Sequence, residues 1–190
     1  MSIYTKDICQ ITRRPGFASD CRGENAVGKS ASFVCGSFVR FGLRVDGSKK
    51  RIEDVRYSTN GCGFAIAAAE TIARKFRLVS LTELHGTKDI ARLIRSSVGV
   101  FPKGREHCLE TVIGAFREAL ANYRSRLVEE FVGEKALVCT CFGIADEEIV
   151  ELIEKHRITD LSELSKLSNA GSGCGSCQML IRELIEAQQD

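Results

Sequence analysis

The order of apolar and polar positions divides this chain into a mixed front and a helical rear. From Ser37 to Asp46, Val39, Phe41, Leu43 and Val45 fall on one side of an extended backbone, with Arg40 and Arg44 on the other, the alternation of a half-buried strand. Asp46-Gly47 marks a turn. A second strand over about Ile52–Thr59, with Val55 and Tyr57 on one face, completes an antiparallel hairpin. Gly61-Cys62-Gly63 ends that strand, and an alanine-rich helix runs through Phe64–Phe76. Ser80-Leu-Thr-Glu83 has the form of a capping box opening a short helical turn, and Lys88–Ser97 predicts another short helix. Pro102 and Gly104 break the chain, and the longest helix starts near Arg105. Its Leu109, Val112, Ile113, Phe116, Leu120, Tyr123 and Leu127 recur at steps of three and four, a stripe that should cover the sheet. Residues 1–31 show little period and predict a short helix near Tyr4–Ile11, then a mobile loop. Gly133 should end the long helix, with Gly133–Ala136 as linker. Three short helical patterns follow, over about Asp146–His156 with Asp146 as N-cap, Asp160–Leu167 and Cys177–Gln188. The expectation is two domains: residues 1–132, of α+β class with a small antiparallel sheet covered by helices, and residues 137–190, small and all-α.

Composition narrows the function classes. With 190 residues, 44% of them apolar, the chain can build a packed core. A net charge of +2, with only the short basic clusters Arg13-Arg14 and Lys49-Lys50-Arg51, speaks against a nucleic-acid partner. The N-terminus has no signal pattern and no apolar run reaches bilayer length, so a cytoplasmic protein without a membrane partner is expected. Nine cysteines are an odd number, which rules out complete internal pairing; in a reducing compartment they point to metal binding or thiol chemistry.

Four of them close the chain as Cys139-Thr-Cys141 and, after thirty-two residues, Cys174-Gly-Ser-Cys177. Residues i and i+2 of an extended stretch point the same way, so Cys139 and Cys141 can present two thiols together. Gly175 allows a tight turn, Gly171 and Gly173 leave room, and Cys177 falls at the first turn of the last helix, where the helix dipole favours a thiolate. Four thiolates suit an iron–sulfur cluster or a zinc ion. Upstream, Cys35, Cys62 and Cys108 each lie at an element end, where distant segments can converge, and His107 offers a weaker fourth ligand. Cys9 fits the inner face of the first helix and Cys21 falls in the loop; neither has an assignment. Gly23-Glu-Asn-Ala-Val-Gly28-Lys29-Ser30 matches a phosphate-cradling loop, but no apolar strand precedes it and no helix follows, which argues against nucleotide binding.

Two resemblances add to this. The segment from about Leu137 to the end resembles the bacterioferritin-associated-ferredoxin type of [2Fe-2S] domain, also found in the middle of NifU proteins. This implies that Cys139, Cys141, Cys174 and Cys177 ligate one stable [2Fe-2S] cluster. Val34-Cys35-Gly36, Tyr57 to Ala67 with its Gly-Cys-Gly, His107-Cys108, and the helix ending Ala121-Asn-Tyr-Arg124 resemble, in that order, the IscU/NifU scaffold family. Tyr4 and Arg14-Pro15 resemble its N-terminus. That likeness implies a scaffold rather than an enzyme. It takes sulfur from a cysteine desulfurase, builds a transient [2Fe-2S] cluster from iron on Cys35, Cys62, Cys108 and His107, and passes it to apo-protein acceptors. Cys108 would be the persulfide acceptor. Zinc is the alternative metal at this site, and a homodimer is one candidate assembly. The stable cluster, fed by an electron donor, would supply the electrons that reduce persulfide sulfur. Three departures stand out. Ser37 replaces the family's Asp two residues after the first cysteine, which predicts altered metal loading and slower release. Phe101-Pro-Lys-Gly-Arg105 replaces the chaperone-recruiting Leu-Pro-Pro-Val-Lys. The further CxxC domain of full-length NifU has no counterpart in this sequence. The competing reading is an electron-transfer or redox-sensing iron–sulfur protein that donates nothing.

Overall fold

The computed structural model describes residues 3–87, 89–129, 131 and 136–189. The chain forms two compact units. The first comprises residues 1–80 and 87–123, and the second residues 81–86 and 124–190. The second unit therefore borrows a six-residue helix and the end of the long helix from upstream sequence. The junction expected at 133–136 lies mostly outside the described residues.

In the first unit, α1 (Lys6–Arg13) leads to a three-stranded sheet of β1 (Ala26–Ala31), β2 (Phe38–Asp46) and β3 (Arg51–Thr59), in the order β1-β2-β3. Helices α2 (Gly63–Phe76), α4 (Ile90–Val98) and most of α5 (Glu106–Glu129) complete it. Both ladders are antiparallel, with Phe41 opposite Gly28 on one side and Tyr57 on the other, and the β2–β3 register shifts at Arg44/Val45. The alternation read from the sequence holds: Val39, Phe41, Leu43, Val45, Val55 and Tyr57 are buried. Phe116 of α5 meets Phe41 edge-on at 5.5 Å and stacks on Phe76 of α2 at 5.1 Å, so both helices share one aromatic core with the sheet.

Two expectations for residues 14–31 are overturned. The segment Ala26–Ala31 is a strand, not a loop, and the phosphate-loop lookalike is largely this strand. Gly28 is there because β1 runs against α5: a Cβ would fall 2.1 Å from the Ala115 carbonyl oxygen and from the Ala119 nitrogen. Its outward N–H groups do not face water. Val27 donates to Asn122 Oδ1 (3.0 Å) and Lys29 to Glu118 Oε2 (2.6 Å), two α5 side chains one turn apart that shield the sheet edge. The preceding residues are anchored too. Cys21 is buried, its Cβ set against Gly42 on the second face of the sheet, where Glu24 pairs with Arg40. Burial first, then Asp54 and Glu24, push the Cys21 thiol up. Glu70 is 1% exposed, and its carboxylate accepts from Gly16 N (2.8 Å), Phe17 N (3.1 Å) and the Tyr57 hydroxyl (3.1 Å), pinning the chain after α1 to α2.

The second unit holds α3 (Leu81–Gly86), a two-stranded ribbon of β4 (Leu137–Cys139) and β5 (Ile144–Ala145), and helices α6 (Asp146–His156), α7 (Leu161–Ser168) and α8 (Gln178–Ala187). Ile149, Ile153, Leu164, Ile181 and Ile185 are its core. The ribbon, too short for an alternation signal, was not expected in an all-helical domain. Asp146 is the first helical residue rather than the N-cap, which is Ala145; its carboxylate accepts from Glu147 N. Asp160 does cap α7, accepting from Ser162 and Glu163 N–H groups. Among the described residues no helix is long and apolar enough to cross a membrane.

Candidate metal centres

The first unit brings Cys35, Cys62, Cys108 and His107 together from three separate connections. Cys35 sits on the loop between β1 and β2. That loop is closed by Ser32 N–H to the Ser37 carbonyl (2.8 Å) and Gly36 N–H to the Ser32 carbonyl (2.8 Å), with Gly36 at φ +69°. Cys62 is the N-cap of α2, and Cys108 lies in the first turn of α5. Asn60 Oδ1 accepts from Phe38 N (2.6 Å), fastening the end of β3 beside the start of β2 and so the Cys62 turn beside the Cys35 loop. Close approach explains the flanking glycines. A Cβ on Gly61 would lie 2.7 Å from the Ala65 Cβ, and one on Gly63 2.9 Å from the Tyr4 ring, whose hydroxyl accepts from Gly63 N (3.2 Å).

Cys62 Sγ and Cys108 Sγ are 3.7 Å apart, and Cys108 Sγ is 3.4 Å from His107 Nε2. Cys35 Sγ lies 3.1 Å from Ser37 Oγ. The thiols differ in character. Cys35 is exposed, and the Ser37 hydroxyl, then the Ser37 backbone and the Ser32 hydroxyl, bring its pKa down to about 6. Cys108 is 1% exposed, and burial, followed by the neighbouring Cys62, pushes it up to about 12. Ser32 was not foreseen. It is buried, its Oγ has no hydrogen-bond partner among the described residues, and it adds to the lowering of Cys35 that Ser37 begins. A polar residue three before a loop cysteine is too common a pattern to have signalled this. Cys9, expected on the inner face of α1, is half-buried while Ile8 holds the buried position.

In the second unit Cys139 ends β4, Cys141 follows in the ribbon turn, and Cys174 and Cys177 lie on the loop into α8. The thiols come in cross-loop pairs. Cys141 Sγ is 3.5 Å from Cys174 Sγ, and Cys139 is near enough to Cys177 to help raise its pKa. Cys139 and Cys141 are each 2% exposed and Cys177 9%, while Cys174 is exposed. Burial, then Cys139, pushes Cys177 up to about 11, outweighing the helix-end effect expected from its position. The Ser176 hydroxyl is the main cause that lowers Cys174 to about 7. The loop is made of residues that only a tight wrap requires. Gly171 and Gly175 stand at φ +79° and +80°, and a Cβ on Gly173 would come 3.0 Å from Cys141 Sγ. Among the described residues no three cysteine, histidine or acidic side chains stand as they would around a single metal ion. Four thiols around a glycine-lined gap are a donor set that fits a [2Fe-2S] group.

The chain belongs to the family of the NifU-like N terminal domain, whose model matches residues 3–130, and it carries a BFD-like [2Fe-2S] binding domain over residues 137–187. It is 31% identical over 165 residues to a nitrogen fixation protein NifU from a Nostoc species, covering 85% of this chain and 54% of that one. It is 30% identical over 118 residues to an iron–sulfur cluster assembly scaffold protein IscU of Archaeoglobus fulgidus, covering 62% of this chain and 72% of that one. The chain spans about half the length of the Nostoc protein. Among solved structures, the N-terminal part of a nitrogen-fixing NifU-like protein from Brucella abortus matches with a TM-score of 0.53 at 18% identity, over 65% of this chain and 96% of that one, a likeness of fold alone. The α+β scaffold fold read from the sequence is thereby shown.

Proposed function

We propose that this protein is an iron–sulfur cluster assembly scaffold with two unlike thiol sites, organised as residues 1–132 and 137–190. The front set, Cys35, Cys62, Cys108 and His107, takes iron and sulfur as cargo; the rear set, Cys139, Cys141, Cys174 and Cys177, keeps a resident [2Fe-2S] group. The observation that carries the reading is the convergence of three thiols from three connections beside an exposed loop. Phe33 and Val34 stand in solvent next to Cys35, 104% and 76% exposed, so a sulfur-delivering protein such as a cysteine desulfurase can reach this face. Cys35 is the thiol such a donor meets first, and Cys108 behind it is the final persulfide acceptor. Sulfur moving from one persulfide to another thiol breaks one S–S bond as it forms the next and needs no outside electrons. Turning that sulfur into sulfide does consume electrons. A [2Fe-2S] group in the rear set, recharged by an electron donor, would supply one-electron chemistry within the same chain, where linkage raises its effective concentration.

The test is anaerobic reconstitution with a cysteine desulfurase, cysteine and ferrous iron, followed by addition of an apo-ferredoxin. Expected is about twice the iron and sulfide of a Cys35→Ala, Cys62→Ala, Cys108→Ala chain, with only the excess passing to the acceptor. No transfer at all would favour the second reading, an electron-transfer or redox-sensing protein. That reading has one observation of its own: Ser37, a hydroxyl in place of the family's carboxylate, sits against Cys35. Assembly no faster with a prereduced rear group would remove the electron-supply role.

A further inference from the structure

Neither His85 nor Arg124 is a thiol ligand, yet both belong to the unit that carries the rear thiols. Helix α3 is tied into that unit by Thr82 Oγ1, which lies 3.3 Å from Asn169 Oδ1. The His85 ring stands edge-on to buried Phe142 at 6.1 Å, and Phe142 follows Cys141 directly. Arg124 sets its Nη2 3.1 Å from His85 Nδ1 and 3.2 Å from Nε2. Leu127, three residues further along α5 and so on the same helix face, lies 3.9 Å from where a Cβ on Gly143 would be. This face of α5 therefore looks onto the loop from Cys139 to Gly143.

We propose that Arg124, held by His85, is the fixed cation that makes the redox group of the rear thiols easier to reduce. This rests on the reading that those four thiols hold a [2Fe-2S] group. Four thiolates and two sulfides concentrate negative charge in a partly buried site, and reduction adds one more. A guanidinium that never deprotonates, held through His85 and Phe142 next to the loop that carries Cys139 and Cys141, would stabilise the reduced state more than the oxidised one. Burial first, then Arg124, lowers His85, and the guanidinium nitrogen lies nearly equidistant from its two ring nitrogens. His85 is a positioning residue: it fixes the cation and touches no thiol.

The test is the midpoint potential of the full chain, followed by visible absorption, alongside iron and sulfide counted per chain. To isolate the rear group, Cys35, Cys62 and Cys108 are replaced by Ala. Arg124→Gln is expected to lower the potential at unchanged iron and sulfide, and His85→Gln to shift it the same way by less. A loaded Arg124→Gln chain at the wild-type potential overturns the proposal. Should Arg124→Gln hold no iron, Arg124→Lys decides. A loaded Lys variant near the wild-type potential supports a role for charge, and an equally empty one assigns Arg124 to folding and overturns the proposal. A chain with native Arg124 that binds no iron at the rear thiols sinks the underlying reading and the proposal with it, a result told apart by the missing iron.

Discussion

The two thiol sets differ less in their chemistry than in how the chain presents them. In front, the cysteines come from residues 35, 62 and 108 and one of them lies on an exposed loop lined by serine hydroxyls. In the rear, two short loops of one small unit supply all four, three are buried, and glycines at positive φ wrap the gap. Exposure and assembly from distant segments suit a cargo that arrives and leaves, while burial and local origin suit a group that stays. On the proposed reading one chain would hold the same element in two ways, and the difference would lie in the backbone around the sulfur.

The largest effect expected from this contrast is all or none. Cys141→Ala or Cys177→Ala should abolish the iron that survives desalting against a chelator, while Cys35→Ala should leave it intact. Iron and acid-labile sulfide counted after chelation check this. Chelator-resistant iron that depends on Cys35 instead would invert the comparison.

Next comes the frame of the front unit. Gly28→Val drives a side chain into the α5 backbone and should destabilise this unit by about 3 kcal/mol or more, seen as an early thermal transition. The rear iron should persist through that transition, and neither wild type nor variant should bind ATP. Glu70→Gln keeps the shape but turns an amide N–H₂ toward donors that now meet a carboxylate oxygen. It should cost about 2 kcal/mol in denaturant unfolding, again confined to the front. Loss of the rear iron in either variant would show the two sites to be one cooperative whole.

What was legible in the sequence followed periodicity and punctuation. The hairpin of β2 and β3 announced itself because one face is uniformly buried, and the glycines about Cys62 because backbone must come close there. β1 was not legible. Ala-Val-Gly-Lys-Ser-Ala has no alternation of large apolar groups, and its edge is satisfied by Asn122 and Glu118, almost a hundred residues away. Its likeness to a phosphate loop lacks the context that motif needs, and from the sequence the segment reads as loop, not strand. Cys21 was misplaced for a related reason: its burial depends on Gly42 leaving a hollow on the far sheet face, which no local pattern reports. The seven cysteines proposed for the two sites are chosen from spacing and family likeness. The residues proposed to tune them, Ser32, His85 and Arg124, are ordinary polar residues whose significance would exist only once the chain is folded.

The smallest effect tests the character of the front site directly. Cys35 is brought down to about 6 chiefly by the Ser37 hydroxyl, so its thiolate predominates above that pH. Its alkylation rate should rise with pH through about 6 and then level off, while Cys108, pushed up to about 12, should react slowly throughout. Peptide mapping after a brief exposure to iodoacetamide across a pH series separates the two. Ser37→Ala removes the largest stabiliser of the thiolate and should slow Cys35 at neutral pH roughly tenfold, the lost thiolate fraction being partly offset by the greater nucleophilicity of a more basic sulfur. Ser37→Asp should slow it as well, because a carboxylate beside a thiolate is like charge against like. The two variants part at the next step. A carboxylate can ligate iron where a hydroxyl does so poorly, so only Ser37→Asp should quicken cluster transfer to an apo-ferredoxin. If both variants transfer at the wild-type rate, residue 37 governs only the approach of sulfur to Cys35, and the looseness of the front site must come from its exposure rather than from its ligand set.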